Sequence, residues 1–332
     1  MKLTKTLSAL LALAILCCFG AQAEITLNDQ AGNTVVLEAP AEKIVSCYYI
    51  FTTGLLGLNC KDRLVGVEAK ADTRGLYRLA APELLDLPAV GSGKGVNLEA
   101  VLELDPDLVL LPLKLAEDAE RLTEMGVPTL ILVPESEQAL AECITILGAA
   151  TGCETRAEEI LSLCEQITAE VAEKVNGAER PRVYMASESS VLTTYPAGLY
   201  QHDLIEQAGG VNVAAEVEGA SKVNIDPEQL INWDPEYLFI VAGASYTVDD
   251  VLNDPQLASV TAVKNGNVFA MPDNIESWDY PTVSSVLGKL YLASVLHPDL
   301  VPAEELTAQA AAFYGTVFGF EPDEETLFGA EK

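Results

Sequence analysis

Residues 97–111 read NLEAVLELDPDLVLL, and residues 226–240 read DPEQLINWDPEYLFI. Laid one on the other without a gap, they place Glu99 over Glu228 and Asp105-Pro106 over Asp234-Pro235. Each copy opens on a helix N-cap residue, Asn97 or Asp226, whose side chain can accept from the free amides of a first turn. A glutamate follows in that turn, where the helix dipole favours negative charge. The Asp-Pro pair then ends the helix, because proline disfavours helical backbone in the residue before it. An apolar run without polar alternation follows, as expected of a strand buried on both faces. Either copy alone is a common helix–turn–strand unit, and either glutamate alone is explained by the dipole. The recurrence of the whole unit predicts two lobes built on one plan.

The rest of the chain extends that plan outward. EITLNDQAGNTVVLEAP (24–40) predicts a β-hairpin turning at Gln30-Ala31-Gly32-Asn33. Short apolar runs alternate with helical stretches: KIVSC (43–47), RLVGVE (63–68), DLVLLP (107–112) and PTLILVP (128–134), then PRVYMAS (181–187), YLFIVAG (237–243) and NVFAMP (267–272). Such alternation implies parallel sheets with helices on their faces. Between the two sets lies TRAEEILSLCEQITAEVAEKVNG (155–177). Its Ile160, Leu163, Ile167, Val171 and Val175 recur at spacings of three and four, marking one long amphipathic helix stopped at Asn176-Gly177. No Gly/Ser or Pro-rich linker divides the halves. The expected fold is therefore α/β: two three-layer lobes with mainly parallel sheets, joined by a single long rigid helix. The expected divisions are residues 24–153, 154–177 and 178–332.

Residues 1–23 read as a secretory signal peptide. Lys2 and Lys5 precede an apolar run from Leu7 to Phe19, and Ala21-Gln22-Ala23 supplies a small-residue cleavage site. Lipidation at Cys17 or Cys18 fits less well, because Leu16 or Cys17 would occupy the small-residue position before it. A protein starting at Glu24 and working outside the cytoplasm is expected, and loss of the two lysines takes the formal charge from −31 to −33. Such acidity argues against nucleic acid and anionic membrane surfaces as partners. Five cysteines follow the leader, an odd number, and their pairing is left open.

These motifs, in this order, are similar to the helical-backbone substrate-binding proteins of ABC importers, which capture ferric siderophores, haem, corrinoids and some oxyanions. The resemblance spans nearly the whole mature chain: the opening hairpin, KIVSCYYIFTTGLLGLNCKDRLVGV (43–67), NLEAVLELDPDLVLL, LIEQAGGVNVAAE (204–216), DPEQLINWDPEYLFI and LASVTAVKNGNVFAMP (257–272). It implies a monomer that carries a small-molecule metal chelate to a membrane permease dimer, with no cofactor of its own. It further implies that Glu99 and Glu228 dock, one per permease subunit, and that lobe closure is small.

In open α/β sheets, ligands bind beyond the carboxyl ends of the strands. The loops expected there carry Tyr48, Tyr49, Arg74 and Lys94 in the first lobe. In the second they carry Tyr195, Tyr200, Lys222, Trp278 and Asp279. Tyr48 and Tyr49 point opposite ways if extended, so at most one of them faces a ligand. Trp278 has two readings: a hydrophobic staple at a helix entry, or an aromatic wall on the cleft, as the resemblance implies. Aromatics with a few cations suit a large, flat or chelated anion. The two histidines, His202 and His297, lie far apart in sequence and are not expected to bind a bare metal ion.

An exported α/β enzyme is the main alternative. The chain has no G-x-S-x-G elbow, no G-x-x-x-x-G-K-[ST] loop and no H-E-x-x-H. GSGKG (91–95) lacks the remaining phosphate-loop spacing. A permease-independent haem or chelate relay protein is a further alternative, separated from a transporter component only by the docking glutamates.

Overall fold

The structure is a computed structural model that describes residues 24–219 and 221–329. The expected signal peptide lies outside the described residues. The chain opens with a hairpin of β1 (Ile25–Asn28) and β2 (Thr34–Leu37). Its turn is held by Asp29, whose Oδ1 accepts from the amides of Ala31 (3.0 Å) and Asn33 (2.7 Å). The first lobe then runs through β3 (Ile44–Ser46), α1 (Tyr49–Gly57), β4 (Leu64–Glu68), α2 (Gly75–Ala80), β5 (Ala89–Ser92) and β6 (Gly95–Val96). It continues through α3 (Leu98–Glu103), β7 (Leu108–Pro112), α4 (Ala116–Glu124), β8 (Thr129–Leu132) and α5 (Glu137–Thr151). The strand order is β6-β5-β4-β3-β7-β8, parallel except for the β5–β6 hairpin.

One helix, α6 (Glu154–Lys174), leads to the second lobe. That lobe contains β9 (Arg182–Ala186), β10 (Thr193–Thr194), α7 (Tyr200–Gln207), β11 (Val211–Asn212), β12 (Val223–Asn224), α8 (Pro227–Trp233) and β13 (Tyr237–Ile240). After them come α9 (Val248–Leu252), α10 (Thr261–Asn265), β14 (Val268–Ala270), α11 (Val286–Leu296), α12 (Ala303–Phe318) and α13 (Glu324–Phe328). The strand order is β12-β10-β9-β13-β14, with β11 also on β9, and β9, β13 and β14 run parallel.

The repeated sequence unit recurs in the structure with the same N-cap and the same left-handed Asp. Asn97 caps α3 by accepting from the Ala100 amide (3.1 Å), and Asp226 caps α8 by accepting from the Gln229 amide (2.7 Å). Each helix ends at an Asp in left-handed backbone, Asp105 (φ 49°) and Asp234 (φ 42°). That conformation is costly for residues other than glycine, though Asp tolerates it better than most. Both are held there by side-chain contacts: Asp105 pairs with Lys43 (2.8 Å), and Asp234 accepts from the Thr261 amide (2.7 Å).

Alternation along the central strands divides the core by face. Val45, Val109 and Ile131 point to one side of the first sheet; Ile44, Leu108, Leu110 and Leu130 point to the other. In the second sheet Tyr184, Leu238 and Ile240 face outward, while Val183, Met185 and Phe239 face inward. The inward faces of both sheets belong to one continuous apolar cluster that also takes in Ile160, Ile167 and Val171 of α6. The lobes are thus fused along their backs. Polar ties cross the same seam. Lys289, only 2% exposed, donates to Glu137 Oε1 (2.6 Å) and to Thr168 Oγ1 (3.0 Å), and Gln207 donates to Glu137 Oε2 (2.7 Å). The Leu76 amide donates to the Ile275 carbonyl (2.8 Å), and Gly75 has no room for a side chain: a Cβ there would stand 2.3 Å from the Asn274 carbonyl oxygen.

Candidate functional site: the interlobe cleft

Parallel strands in both lobes end at the same opening, and the residues just past those ends line it. Tyr48 follows β3, Lys114 follows β7 and Glu135 follows β8; Glu188 follows β9 and Tyr280 lies beyond β14. Two adjoining cavities share Tyr48 and Glu135. One, of about 260 Å³, lies between the lobes and is lined by Tyr48, Glu135, Glu188, Tyr195, Lys222 and Tyr280 among others. The other, of about 340 Å³, is bounded by Tyr48, Lys114, Pro134 and Glu135 of the first lobe.

The electrostatics of this cleft are set by a few contacts. Lys222 forms an ion pair with Glu188, and the Tyr195 hydroxyl lies 3.4 Å from the other Glu188 oxygen. Partial burial opposes ionisation of Glu188, but Lys222 and Tyr195 outweigh it and hold the carboxyl below its ordinary range. Burial, reinforced by the nearby acids, raises the hydroxyls of Tyr48 and Tyr195 and pushes Tyr280 up to about 12. At neutral pH all three are therefore neutral hydrogen-bond donors. Lys114 Nζ sits 5.4 Å from the centre of the Tyr48 ring, within cation–π range. A Cβ at Gly93 would stand 2.5 Å from the ammonium and would push the flexible end of Lys114 aside.

The structure brings together Tyr48, Tyr195, Tyr200 and Lys222 of the expected residues. Tyr200 is largely buried, with its hydroxyl 2.5 Å from Ser285 Oγ, and touches the cavity as part of its floor. Tyr49 and Arg74 are set to one side. Tyr49 begins α1, Arg74 stacks on its ring at 4.2 Å, and both border a separate 70 Å³ recess in the interlobe seam with the half-buried Glu276. Lys94 occupies the exposed tip of the β5–β6 hairpin and lines neither cavity.

Two expectations are corrected. Trp278 is 1% exposed, its Nε1 donates to the Tyr314 hydroxyl (2.9 Å), and its ring packs edge-on against Phe328 and Tyr291. It is a core residue at a helix entry, not a cleft wall. Asp279 is fully buried. Its Oδ1 accepts from the Ala242 amide (3.2 Å) beyond β13, and its Oδ2 has no partner. Desolvation drives its pKa up to about 7 against the pull of that amide. The aromatic that reaches the cleft from this loop is Tyr280 instead.

Lys114, Glu135, Glu188 and Tyr280 were missed in the sequence. The first three sit immediately after strand-forming runs, the position that singled out Tyr48, so the signal was present. Their acids were lost among the many carboxylates of the chain. Among the described residues no group of three or more His, Cys, Asp or Glu is disposed to hold a metal ion.

Glu99 and Glu228 are both exposed in the first turns of α3 and α8, and among the described residues neither enters an ion pair. A helix that turns directly into a strand runs back along it. Each glutamate therefore lies toward the carboxyl end of its lobe's sheet, the side on which the cleft loops stand.

Two α/β lobes fused along their backs by a long helix, open at the carboxyl ends of both sheets, have the architecture of a solute-binding protein. Residues 44–275 match the family model described as periplasmic binding protein, and the chain belongs to that family. It is 24% identical to the molybdate-binding protein MolA of Haemophilus influenzae, across 92% of this chain and 94% of that one. It is 27% identical to the ferric enterobactin-binding periplasmic protein FepB of Escherichia coli, across 80% of this chain and 89% of that one. The solved structure of H. influenzae MolA bound to molybdate superposes with a TM-score of 0.79 at 22% identity, covering 90% of this chain and 99% of that one. These relatives are solute-binding proteins, not enzymes, and MolA is the cognate binding protein of an ABC transporter. No helix among the described residues is long and apolar enough to cross a membrane.

Proposed function

We propose that this protein captures an anionic metal chelate or a compact metal oxyanion in the interlobe cleft and delivers it to an ABC permease, after export and cleavage following Ala23. The observation that carries this reading is the convergence of three protonated tyrosines from both lobes with Lys114 and Lys222 at one opening. Tyrosine hydroxyls and ammonium groups donate hydrogen bonds to carboxylate, catecholate or oxo groups. Tyrosine rings add apolar area suited to a flat ligand. A ferric siderophore, haem or a corrinoid is the chelate class that the sequence resemblance favours. The oxyanion reading is favoured by the molybdate-binding relative.

A thermal-shift screen of the full chain separates these readings. The probes are ferric siderophores, haem, cobalamin and molybdate. A ligand at 100 times its Kd adds about 2.7 kcal/mol and should raise the Tm visibly. A response to molybdate alone selects the oxyanion. A response to one chelate selects that chelate, and silence toward every probe refutes the proposed ligand classes. N-terminal sequencing of the exported protein tests the cleavage, and a diacylglycerol adduct on Cys17 or Cys18 would overturn it.

A further inference from the structure

Two of the five described cysteines meet. Cys60, at the turn after α1, and Cys153, the residue preceding α6, are 93 positions apart, yet their sulfurs stand 3.5 Å from each other. Neither is disulfide-bonded in this structure, and Cys47, Cys143 and Cys164 are also free. We propose that Cys60 and Cys153 are a disulfide-forming pair that fastens the head of the interlobe helix to the first lobe.

The surroundings hold both sulfurs in place. Gly152 closes α5 in left-handed backbone (φ 66°), which turns the chain sharply into Cys153. Arg63 locks that corner against the Cys60 turn by donating to the carbonyls of Thr151 (2.7 Å) and Ala41 (3.0 Å). Closing the bond, at about 2.05 Å, needs a sulfur approach of only roughly 1.5 Å.

The two sulfurs differ in access, and that fixes the order of events. Cys153 is partly exposed and Cys60 is buried. Burial pushes the Cys60 thiol up to about 11, so it does not react first with an external oxidant. The oxidant is a low-molecular-weight or protein disulfide, RS–SR. Cys153 thiolate attacks one sulfur of RS–SR, forming a mixed disulfide and releasing RS⁻. Cys60, deprotonated, then attacks the Cys153 sulfur and releases the second RS⁻. The two thiol protons end on the released thiolates. Both cysteines are oxidised, and RS–SR is reduced to two RSH.

The pairing takes two of the five cysteines and leaves three as free thiols. Cys47, Cys143 and Cys164 are left over, and desolvation raises all three thiols. Cys47 and Cys143 are buried and poorly reactive, whereas Cys164 is half-buried and stands apart from the other four sulfurs.

The test uses the reduced, folded full chain incubated with oxidised glutathione, quenched by alkylation in denaturant and mapped by mass spectrometry. The expected product is a peptide pair linked through Cys60 and Cys153, lighter by the two thiol hydrogens. Cys153→Ser abolishes it. The linked form should melt roughly 3–10 °C above the reduced form, because the bond closes a long loop in the unfolded chain. Three outcomes overturn the proposal: both thiols remaining alkylatable, glutathione staying on Cys153 without the Cys60 link, or the link forming only after denaturant is added.

Discussion

Trp278 and Asp279 are neighbours in sequence, and each shows what burial does to a side chain chosen for its chemistry. Trp278 gives up the cleft for a hydrogen bond to Tyr314 and edge-on packing against Tyr291 and Phe328. Trp278→Ala should therefore cost about 3–5 kcal/mol of stability and leave ligand affinity of the folded fraction unchanged. Tyr48→Ala should do the reverse. Denaturant titration alongside calorimetric binding checks both, and an affinity loss confined to Trp278→Ala would return that residue to the cleft. Asp279 makes a pH prediction. Its folded pKa is about 7 against an ordinary 3.8, so the folded chain keeps a proton that the unfolded chain releases. The stability this contributes is present below about pH 4, declines as pH rises to 7, and is gone above it. Asp279→Asn removes the buried charge. It should raise the Tm at pH 8, flatten the slope between pH 4 and 7, and change little at pH 4. Melting curves across that range decide it; a wild-type curve unaltered by the substitution would show that the carboxyl is ionised at no cost.

At the scale of elements, the helix–turn–strand unit is the part that recurs. Its cap, its left-handed Asp and its buried strand are the same in α3–β7 and α8–β13 because the same local chemistry is written twice. What the unit leaves over is an exposed glutamate in each first turn. The dipole explains its tolerance at about 0.3–1 kcal/mol, and no described partner explains it further. We expect Glu99→Ala and Glu228→Ala to keep ligand affinity, to cost less than about 1 kcal/mol in folding, and to reduce transport, the double variant more than either single. Truncating one side of a desolvated interface pair typically costs about 2–5 kcal/mol. Uptake by reconstituted permease is the measurement, and normal uptake by the double variant would make both residues helix-start residues only.

For the whole molecule, the fused back matters more than the division into lobes. One apolar cluster joins both sheets to α6, and the Lys289–Glu137–Gln207 contacts cross it. Units that share a core unfold together, so calorimetry should show one transition with matching calorimetric and van't Hoff enthalpies. Two resolved transitions would mean that the lobes are independent. We expect the same fusion to keep ligand-induced closure small and confined to the open side.

The amino-acid sequence by itself determined the elements and their plan. Short apolar runs such as DLVLLP and YLFIVAG could only be strands covered on both faces, and the spacing from Ile160 to Val175 could only be one long helix. Local rules suffice there, because caps, breakers and periodicity act over a few residues. The minor strands β5, β6, β10, β11 and β12 escaped notice, since they lack the continuous apolar run that marked β3, β8, β13 and β14. The cleft was legible only as a set of loop positions. Which side chains line it was decided by the tertiary structure. Trp278 turned inward because Tyr314 and Phe328, brought from α12 and α13, offered burial and a hydrogen-bond acceptor. Lys114 reached Tyr48 because β7 and β3 lie side by side in the sheet and end together. Cys60 met Cys153 across 93 residues because two corners were packed together. Contacts between distant segments are set by how whole layers stack, and no local pattern encodes that.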